Sequence, residues 1–231
     1  MKSEVLIVSC HRPKEEGNPY EIVFSNGDKL LFSEEEVFEN ALYREGESCE
    51  NYERMCTMVM VKRMMASAAS YVLFSMKTET QVRNRLADQF TNTETMEGWA
   101  KFTDTALEET IRRLNELGYL DDTAYCKKYI ASAIRGKPVS RAGLLNELIY
   151  HKGVSKEIAE AAVSAAYEDP SVLTDDENAY RLLQKKTCGR IPEDQKERAK
   201  LYRFLAGKGF SYHSVDAALQ RIKEEGRETD A

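Results

Sequence analysis

Two patterns of apolar residues divide the chain. Near the N-terminus apolar residues come in short runs bounded by turn formers: Val5–Cys10 reads as a strand, and Glu21-Ile22-Val23-Phe24 and Lys29-Leu30-Leu31-Phe32 flank Ser25-Asn26-Gly27-Asp28. Asn-Gly between two such runs predicts a hairpin closed by a type I′ turn, which needs positive φ at both central residues. The expected product is a small antiparallel sheet of two or three strands, stable only when packed on helices. Ser33-Glu34-Glu35-Glu36 follows as a capping box, and beyond it the period is helical. Val37, Phe38, Ala41 and Leu42 make the apolar face of a helix that Gly46 ends. A long helix from about Cys49 to Met76 carries Met55, Met58, Met60, Met64, Met65 and Met76 at helical spacing. They read as core rather than as an adaptable binding face.

Thr78-Glu79-Thr80-Gln81 is a second capping box, opening a helix with Val82 and Leu86 inward. Thr91–Asp104 is polar and reads as an inserted loop that Trp99 and Phe102 fasten down. Thr105–Leu117 is helical, with Leu107, Ile111 and Leu114 on one face. It stops at Gly118, which suits the left-handed residue after a helix. Asp121 or Asp122 caps the next helix, Asp122–Arg135, while Tyr119 and Leu120 are expected to pin the corner into the core. That helix turns Tyr125, Tyr129, Ile130 and Ala133 inward.

The second half repeats. Leu145, Ile149, Lys152-Gly153-Val154-Ser155 and Ala161-Ala162-Val163 align without gaps on Leu201, Leu205, Lys208-Gly209-Phe210-Ser211 and Ala217-Ala218-Leu219, an offset of 56 (209 − 153). In each copy a glycine stops one helix, a serine caps the next, and alanines permit close packing. Repeats of this length signal stacked helical units. A degenerate first copy is expected over Ser75–Ile130. The divisions expected are residues 1–47 (hairpin and capped helix), 48–135 (long helix and first repeat, with the 91–104 insertion), 136–175 (second repeat) and 176–231 (third repeat).

Composition narrows the class. The 231 residues include 42% hydrophobic and 31% charged ones, with 5 prolines and 12 glycines, too few turn formers for a β-sandwich. No apolar run is long enough to cross a bilayer, and the apolar run after Met1-Lys2-Ser3-Glu4 is too brief for a signal peptide. The expectation is a soluble, cytoplasmic protein with no membrane association. Cys10, Cys49, Cys56, Cys126 and Cys188 are scattered without a CxxC pair, which indicates neither zinc nor a disulfide framework. The net charge of −6 is unevenly spread. Asp28–Glu53 holds nine acids against Lys29 and Arg44, whereas Lys127–Ser164 has seven bases against three acids and Arg181–Lys208 nine against three. Such basic stretches meet nucleic acid or an acidic partner, or are solvated helix faces.

Catalytic chemistry is not indicated. The histidines are His11, His151 and His213, and no HExxH, P-loop or GxGxxG occurs. Helix capping explains Asp121-Asp122 better than metal ligation does. Neither a metal nor a cofactor is expected, and the reading is of a binding protein rather than an enzyme.

Four stretches carry a further signal: Thr78-Glu79-Thr80-Gln81-Val82-Arg83-Asn84-Arg85-Leu86, Leu114-Asn115-Glu116-Leu117-Gly118-Tyr119-Leu120-Asp121-Asp122, Glu147-Leu148-Ile149-Tyr150-His151-Lys152-Gly153-Val154 and Phe204-Leu205-Ala206-Gly207-Lys208-Gly209-Phe210. In their order and spacing they resemble the RecX family of bacterial regulatory proteins. The resemblance runs from about Ala66 to Ile222, and the preceding hairpin looks like an N-terminal extension that some members carry. The insertion is longer, and the chain more acidic, than is usual there. The resemblance implies a mainly α fold of tandem three-helix repeats in an elongated, curved body, here with a small N-terminal β-hairpin. It implies binding to the RecA recombinase, chiefly as a filament on single-stranded DNA, with restraint of its ATPase, filament growth and strand exchange. Weak direct DNA contact is a further expectation. The alternative is a helix-turn-helix-like DNA-binding regulator, which the acidic net charge disfavours. The residues expected to meet the partner are Lys127, Arg135, Lys137, Arg141, Lys152, Arg181, Lys185 and Arg203.

Overall fold

The computed structural model describes residues 4–91 and 98–229, with side chains as far as Glu225. The protein is mostly helical with a small sheet, and divides into two compact units, Met1–Leu120 and Asp121–Ala231.

In the first unit, strands β1 (Ile7–His11), β2 (Tyr20–Phe24) and β3 (Lys29–Phe32) form an antiparallel sheet in that order. Tyr20 pairs with Phe32 and Ile22 with Leu30. Alternation across the pleat therefore buries Ile22, Phe24, Leu30 and Phe32 on one face. The hairpin lies where its pattern predicts, but the turn is not type I′. Gly27 has φ +91° and Asn26 is not left-handed. Gly27 N–H donates to the Phe24 carbonyl (2.9 Å) and Phe24 N–H to that of Asp28 (2.9 Å), so a three-residue loop closes on a left-handed glycine. Asn26 favours this form: its side chain accepts from Asp28 N–H at 3.1 Å and donates to the Asp28 carboxylate at 2.7 Å.

Helix α1 (Glu34–Glu39) has its capping box, with Ser33 Oγ accepting from Glu36 N–H and the Glu36 carboxylate accepting from Ser33 N–H (2.8 Å). It ends before Gly46, because Ala41 takes φ +52°. That places Phe38 in solvent, while Val37 and Leu42 reach the core. Helix α2 (Tyr52–Phe74) buries Met60 and Met64 fully, but Met58 and Met76 lie at the surface. Helix α3 (Glu79–Thr91) opens on the reciprocal Thr78–Gln81 box. Helix α4 (Ala100–Glu116) starts inside the stretch expected to be loop. Residues 100–104 are helical because Trp99, Phe102, Thr103 and Ala106 make a buried stripe while Lys101 and Asp104 face water. Trp99 packs against Phe32 (5.0 Å) and Phe102 (6.0 Å). The rest of the insertion, 92–97, lies outside the described residues. At the following corner Gly118 has φ +72°. Leu120 is buried there, whereas Tyr119 is exposed, a departure from the expected two-residue anchor.

The second unit contains α5 (Asp122–Gly136), α6 (Arg141–Asn146) running on into a π-turn (Glu147–His151), α7 (Lys156–Tyr167), α8 (Asp175–Thr187), α9 (Gln195–Ala206) and α10 (Tyr212–Thr229). Among the described residues it has no strand. Cys126, Ile130, Leu144, Leu148, Val154 and Val163 belong to one core, and Leu183, Leu201, Leu205, Phe210, Val215 and Leu219 to another. Asp121 caps α5, Ser155 caps α7 and Ser211 Oγ accepts from Ser214 N–H at the start of α10. Gly153 and Gly209 both take positive φ.

The gapless offset holds only past the glycines. Val154 matches Phe210 and Ala162 matches Ala218, all buried. Upstream, the buried partners of Leu201 and Leu205 are Leu144 and Leu148, not Leu145 and Ile149, an offset of 57 (201 − 144). The π-turn takes up the extra residue: Val154 N–H reaches the carbonyl of Leu148, six residues back, whereas Phe210 N–H reaches that of Leu205, five back. One inserted residue is thus absorbed without disturbing either core.

Candidate partner-binding surface

The eight basic residues expected to meet a partner all lie in the second unit. Lys127 and Arg135 are on α5, Lys137 follows it, Arg141 opens α6, Lys152 follows the π-turn, Arg181 and Lys185 are on α8, and Arg203 is on α9. All are exposed except Lys152, which is half-buried. Their surroundings separate them into two groups.

Three are tied down. Lys152 Nζ lies 2.9 Å from Glu147 Oε1 and 5.6 Å from the Tyr129 ring centroid. The hydrogen bond between them raises the Lys152 ammonium above its usual range and lowers the Glu147 carboxyl below its own. Arg181 Nε lies 3.4 Å from Glu177, a carboxylate that Arg221 also holds at 2.7 Å. The Arg141 guanidinium stands 4.7 Å from the Tyr167 ring centroid, and its backbone N–H donates to Asp175 at 3.0 Å. Burial pushes the Tyr167 hydroxyl up to about 12, and burial likewise raises the Asp175 carboxyl against the Arg141 contacts that lower it.

The other five, Lys127, Arg135, Lys137, Lys185 and Arg203, have no carboxylate within ion-pair distance among the described residues. Arg135 and Arg203 bond back to carbonyls of their own helices, Ala131 at 3.0 Å and Ala199 at 3.3 Å. These charges are unneutralised and solvent-facing, which is what long-range attraction to an anionic partner requires. Two cations outside the expected set converge on one ring: Lys186 and Lys208 lie 4.3 and 5.2 Å from the Phe204 centroid. No spacing in the sequence joins α8 to the corner after α9. The partition of charge follows the units: 21 acids against 14 bases in the first (−7), and 18 against 19 in the second (+1).

The cations lie on or beside the helices of two cores that meet at a close junction. Ser140 Oγ accepts from Gly143 N–H (2.9 Å) and donates to the Lys208 carbonyl (2.7 Å). Asn178 Nδ2 donates to the Val139 carbonyl (3.1 Å). Gly143 and Gly209 lie back to back, with no room for a Cβ on either. Among the described residues no group of side chains is arranged to hold a metal, and no helix is long and apolar enough to cross a membrane.

Residues 174–219 match the family model described as RecX, third three-helix domain. A regulatory protein RecX from Chlorobium phaeobacteroides (strain BS1) is 32% identical over 125 residues, 53% of this chain and 76% of that protein. One from Clostridium botulinum (strain Alaska E43 / Type E3) is 30% identical over 144 residues, 61% of this chain and 59% of that protein. A crystal structure of regulatory protein RecX aligns with 94% of this chain and 99% of its own at a TM-score of 0.57 and 19% identity, a likeness of fold. These relatives are named as regulatory proteins, not as enzymes.

Proposed function

The chain belongs to the RecX family of regulatory proteins, and on that premise we propose that it binds the RecA recombinase, chiefly as a filament on single-stranded DNA, and restrains its ATPase, filament growth and strand exchange. The observation that carries the reading is the set of cations on the second unit that have no carboxylate partner among the described residues, Lys127, Arg135, Lys137, Lys185 and Arg203. A nucleoprotein filament is anionic and long, and cations spread over two repeats meet it at several points. The mechanism is attachment and occlusion, with no covalent step. Such attraction weakens as salt rises, because the Debye length is only about 8 Å at physiological ionic strength.

The test is ATP hydrolysis by RecA on single-stranded DNA, with the wild-type protein or a Lys127→Glu/Arg135→Glu/Lys185→Glu variant added. Lys152 and Arg141 are poor choices for reversal: a glutamate at 152 would face Glu147, and one at 141 would lose the Tyr167 contact and fold less well. Half-inhibition should need about tenfold more of the triple variant, since solvent-facing charges act mainly on encounter. Equal inhibition by a variant with wild-type circular dichroism would place the contact elsewhere. A parallel titration with bare duplex DNA separates this reading from that of a helix-turn-helix DNA-binding regulator.

A further inference from the structure

In the first unit the C-terminal end of α2 and the body of α3 border a groove lined by Arg63, Tyr71, Phe74, Lys77, Arg85 and Gln89, among others. Its floor is Tyr71, with Lys77 Nζ 4.6 Å and Arg85 Cζ 5.9 Å from the ring centroid. Arg63 is already committed: it donates to Glu36 at 2.7 Å and stacks on Trp99 at 4.5 Å. Lys77 and Arg85 are not so committed. Lys77 donates to Ser75 Oγ at 2.7 Å, and among the described residues no carboxylate is within ion-pair distance of either. Beside them Phe74 is 92% exposed. Two cations over the Tyr71 ring, with no carboxylate partner among the described residues, sharing a groove with the bare ring of Phe74, are out of keeping with a unit whose formal charge is −7.

We infer that this groove binds a short stretch of single-stranded nucleic acid, one base stacking on Phe74 and the flanking phosphates meeting Lys77 and Arg85. The chemistry selects the ligand. Stacking on an open ring needs an unpaired base face, which a duplex keeps inside its own stack. The cations need phosphates. Leu73 and Met76 are exposed close to this ring, and a protein partner would be held chiefly by such apolar surface. The groove that Phe74 lines, however, also presents Lys77, Arg85, Ser70 and Gln89, which suit a polyanion with a stacking face. The acidic remainder of the unit repels polyanions at a distance, so affinity here comes from stacking and two local charges rather than from a broad basic field. A shallow salt dependence follows, with a slope of log K on log salt of about −1.4 for two phosphate contacts on a single strand.

This inference stands apart from the RecA reading, because its test contains no RecA. A fluorescein-labelled twelve-nucleotide oligo(dT) is titrated with the full chain, and binding is read by anisotropy over a range of salt. Phe74→Ala should weaken binding about tenfold, and Phe74→Trp should restore it. Lys77→Gln/Arg85→Gln should flatten the salt dependence to near zero. Phe74 is exposed and its replacement leaves the core alone, and circular dichroism checks each variant. Full affinity in Phe74→Ala with loss in the double variant would make the groove a general anion patch suited to acidic protein, and the proposal would fail. It would fail equally if the wild type bound no oligonucleotide, or if only the Lys127→Glu/Arg135→Glu/Lys185→Glu variant lost binding.

Discussion

Replacing Gly143 by alanine should destabilise the second unit, although alanine is the better helix former. Gly143 is the third residue of α6, directly over its Ser140 cap. A Cβ there would stand 2.7 Å from the Lys208 carbonyl oxygen and 2.8 Å from Ser140 Oγ. The opposing oxygen is backbone, in a corner where Gly209 holds φ +82° and where its own Cβ would lie 2.6 Å from Gly143 N. No flexible side chain can move aside, so α6 must retreat from the corner and stretch the 2.7 Å bond from Ser140 to Lys208. Overpacking costs about 1–3 kcal/mol, and the weakened hydrogen bond about 1 kcal/mol more. Relief of the glycine entropy penalty returns roughly 0.5–1 kcal/mol. The net expectation is a loss of about 1–3 kcal/mol. Gly136→Ala is the matched control: it is the same change at the last residue of α5, where no heavy atom lies within 4 Å of the new Cβ. It should be neutral or gain up to about 1 kcal/mol. Urea melts of the full chain, followed by far-UV circular dichroism, read both. If Gly143→Ala melts at or above the wild type while Gly136→Ala gains, the steric argument is wrong and the two glycines are not in contact.

Three further outcomes are expected. Ala162→Leu, at a buried site on α7, should cost about 1–3 kcal/mol in the same melts, while Ala161→Leu, next to it but exposed, should stay within roughly 0.5 kcal/mol of wild type; similar losses in both would mean that helix approach does not decide the cost. Deleting Tyr150, an exposed residue of the π-turn, should leave a folded protein, since the shortened segment would match the five-residue step from Leu205 to Phe210, whereas deleting Tyr202 from the regular α9 should unfold the third repeat. Burial alone would raise the Glu36 carboxyl, but hydrogen bonds from Arg63 and the Ser33 amide hold it below its ordinary 4.5. Its stabilisation is therefore complete above that value and fades as pH falls through the folded value; Trp99 emission should shift red on acidification, and Glu36→Gln should flatten that acid limb, so parallel limbs would count against the pair.

What could be read from the sequence was local. The Ser33–Glu36 and Thr78–Gln81 boxes and the left-handed Gly118, Gly153 and Gly209 span three or four residues, and each is satisfied by its immediate neighbours. Features that depend on distant partners were not legible. Arg63 reads as one more charge on a long helix until Glu36, the Leu31 carbonyl and Trp99 surround it. The start of α4 was hidden by polar residues on its outer face, and its buried stripe needs the sheet opposite to explain it. The same limit applies to the candidate surface. Lys152 looks free by helical spacing, because Glu147 is five residues away rather than three or four. The π-turn brings the two together and removes Lys152 from the set of available cations.

On the proposed function, the junction in the second unit would link this packing to attachment of the partner. Each of its two cores is contributed by roughly fifty residues, a size at which burial alone gives marginal stability. In stacked repeats the interface between neighbours supplies the remainder. Here that interface is close and polar: Ser140 bonds both its own helix and the Lys208 carbonyl, Asn178 reaches back to Val139, and Asp175 receives the Arg141 N–H. Directional bonds at fixed lengths hold the angle between repeats more narrowly than apolar contact does. Lys127, Arg135 and Lys137 lie on or just after α5, which packs into the core of Cys126, Leu148 and Val163, and Lys185 and Arg203 lie on helices of the other core. Their relative positions are therefore set by this junction. A loosened junction should weaken attachment to a rigid filament more than it weakens either core, because simultaneous contacts are lost when their geometry no longer matches. Gly143→Ala should accordingly raise the concentration needed for half-inhibition of RecA even under conditions where the variant is fully folded, and inhibition identical to wild type would show that the two sets of cations act independently.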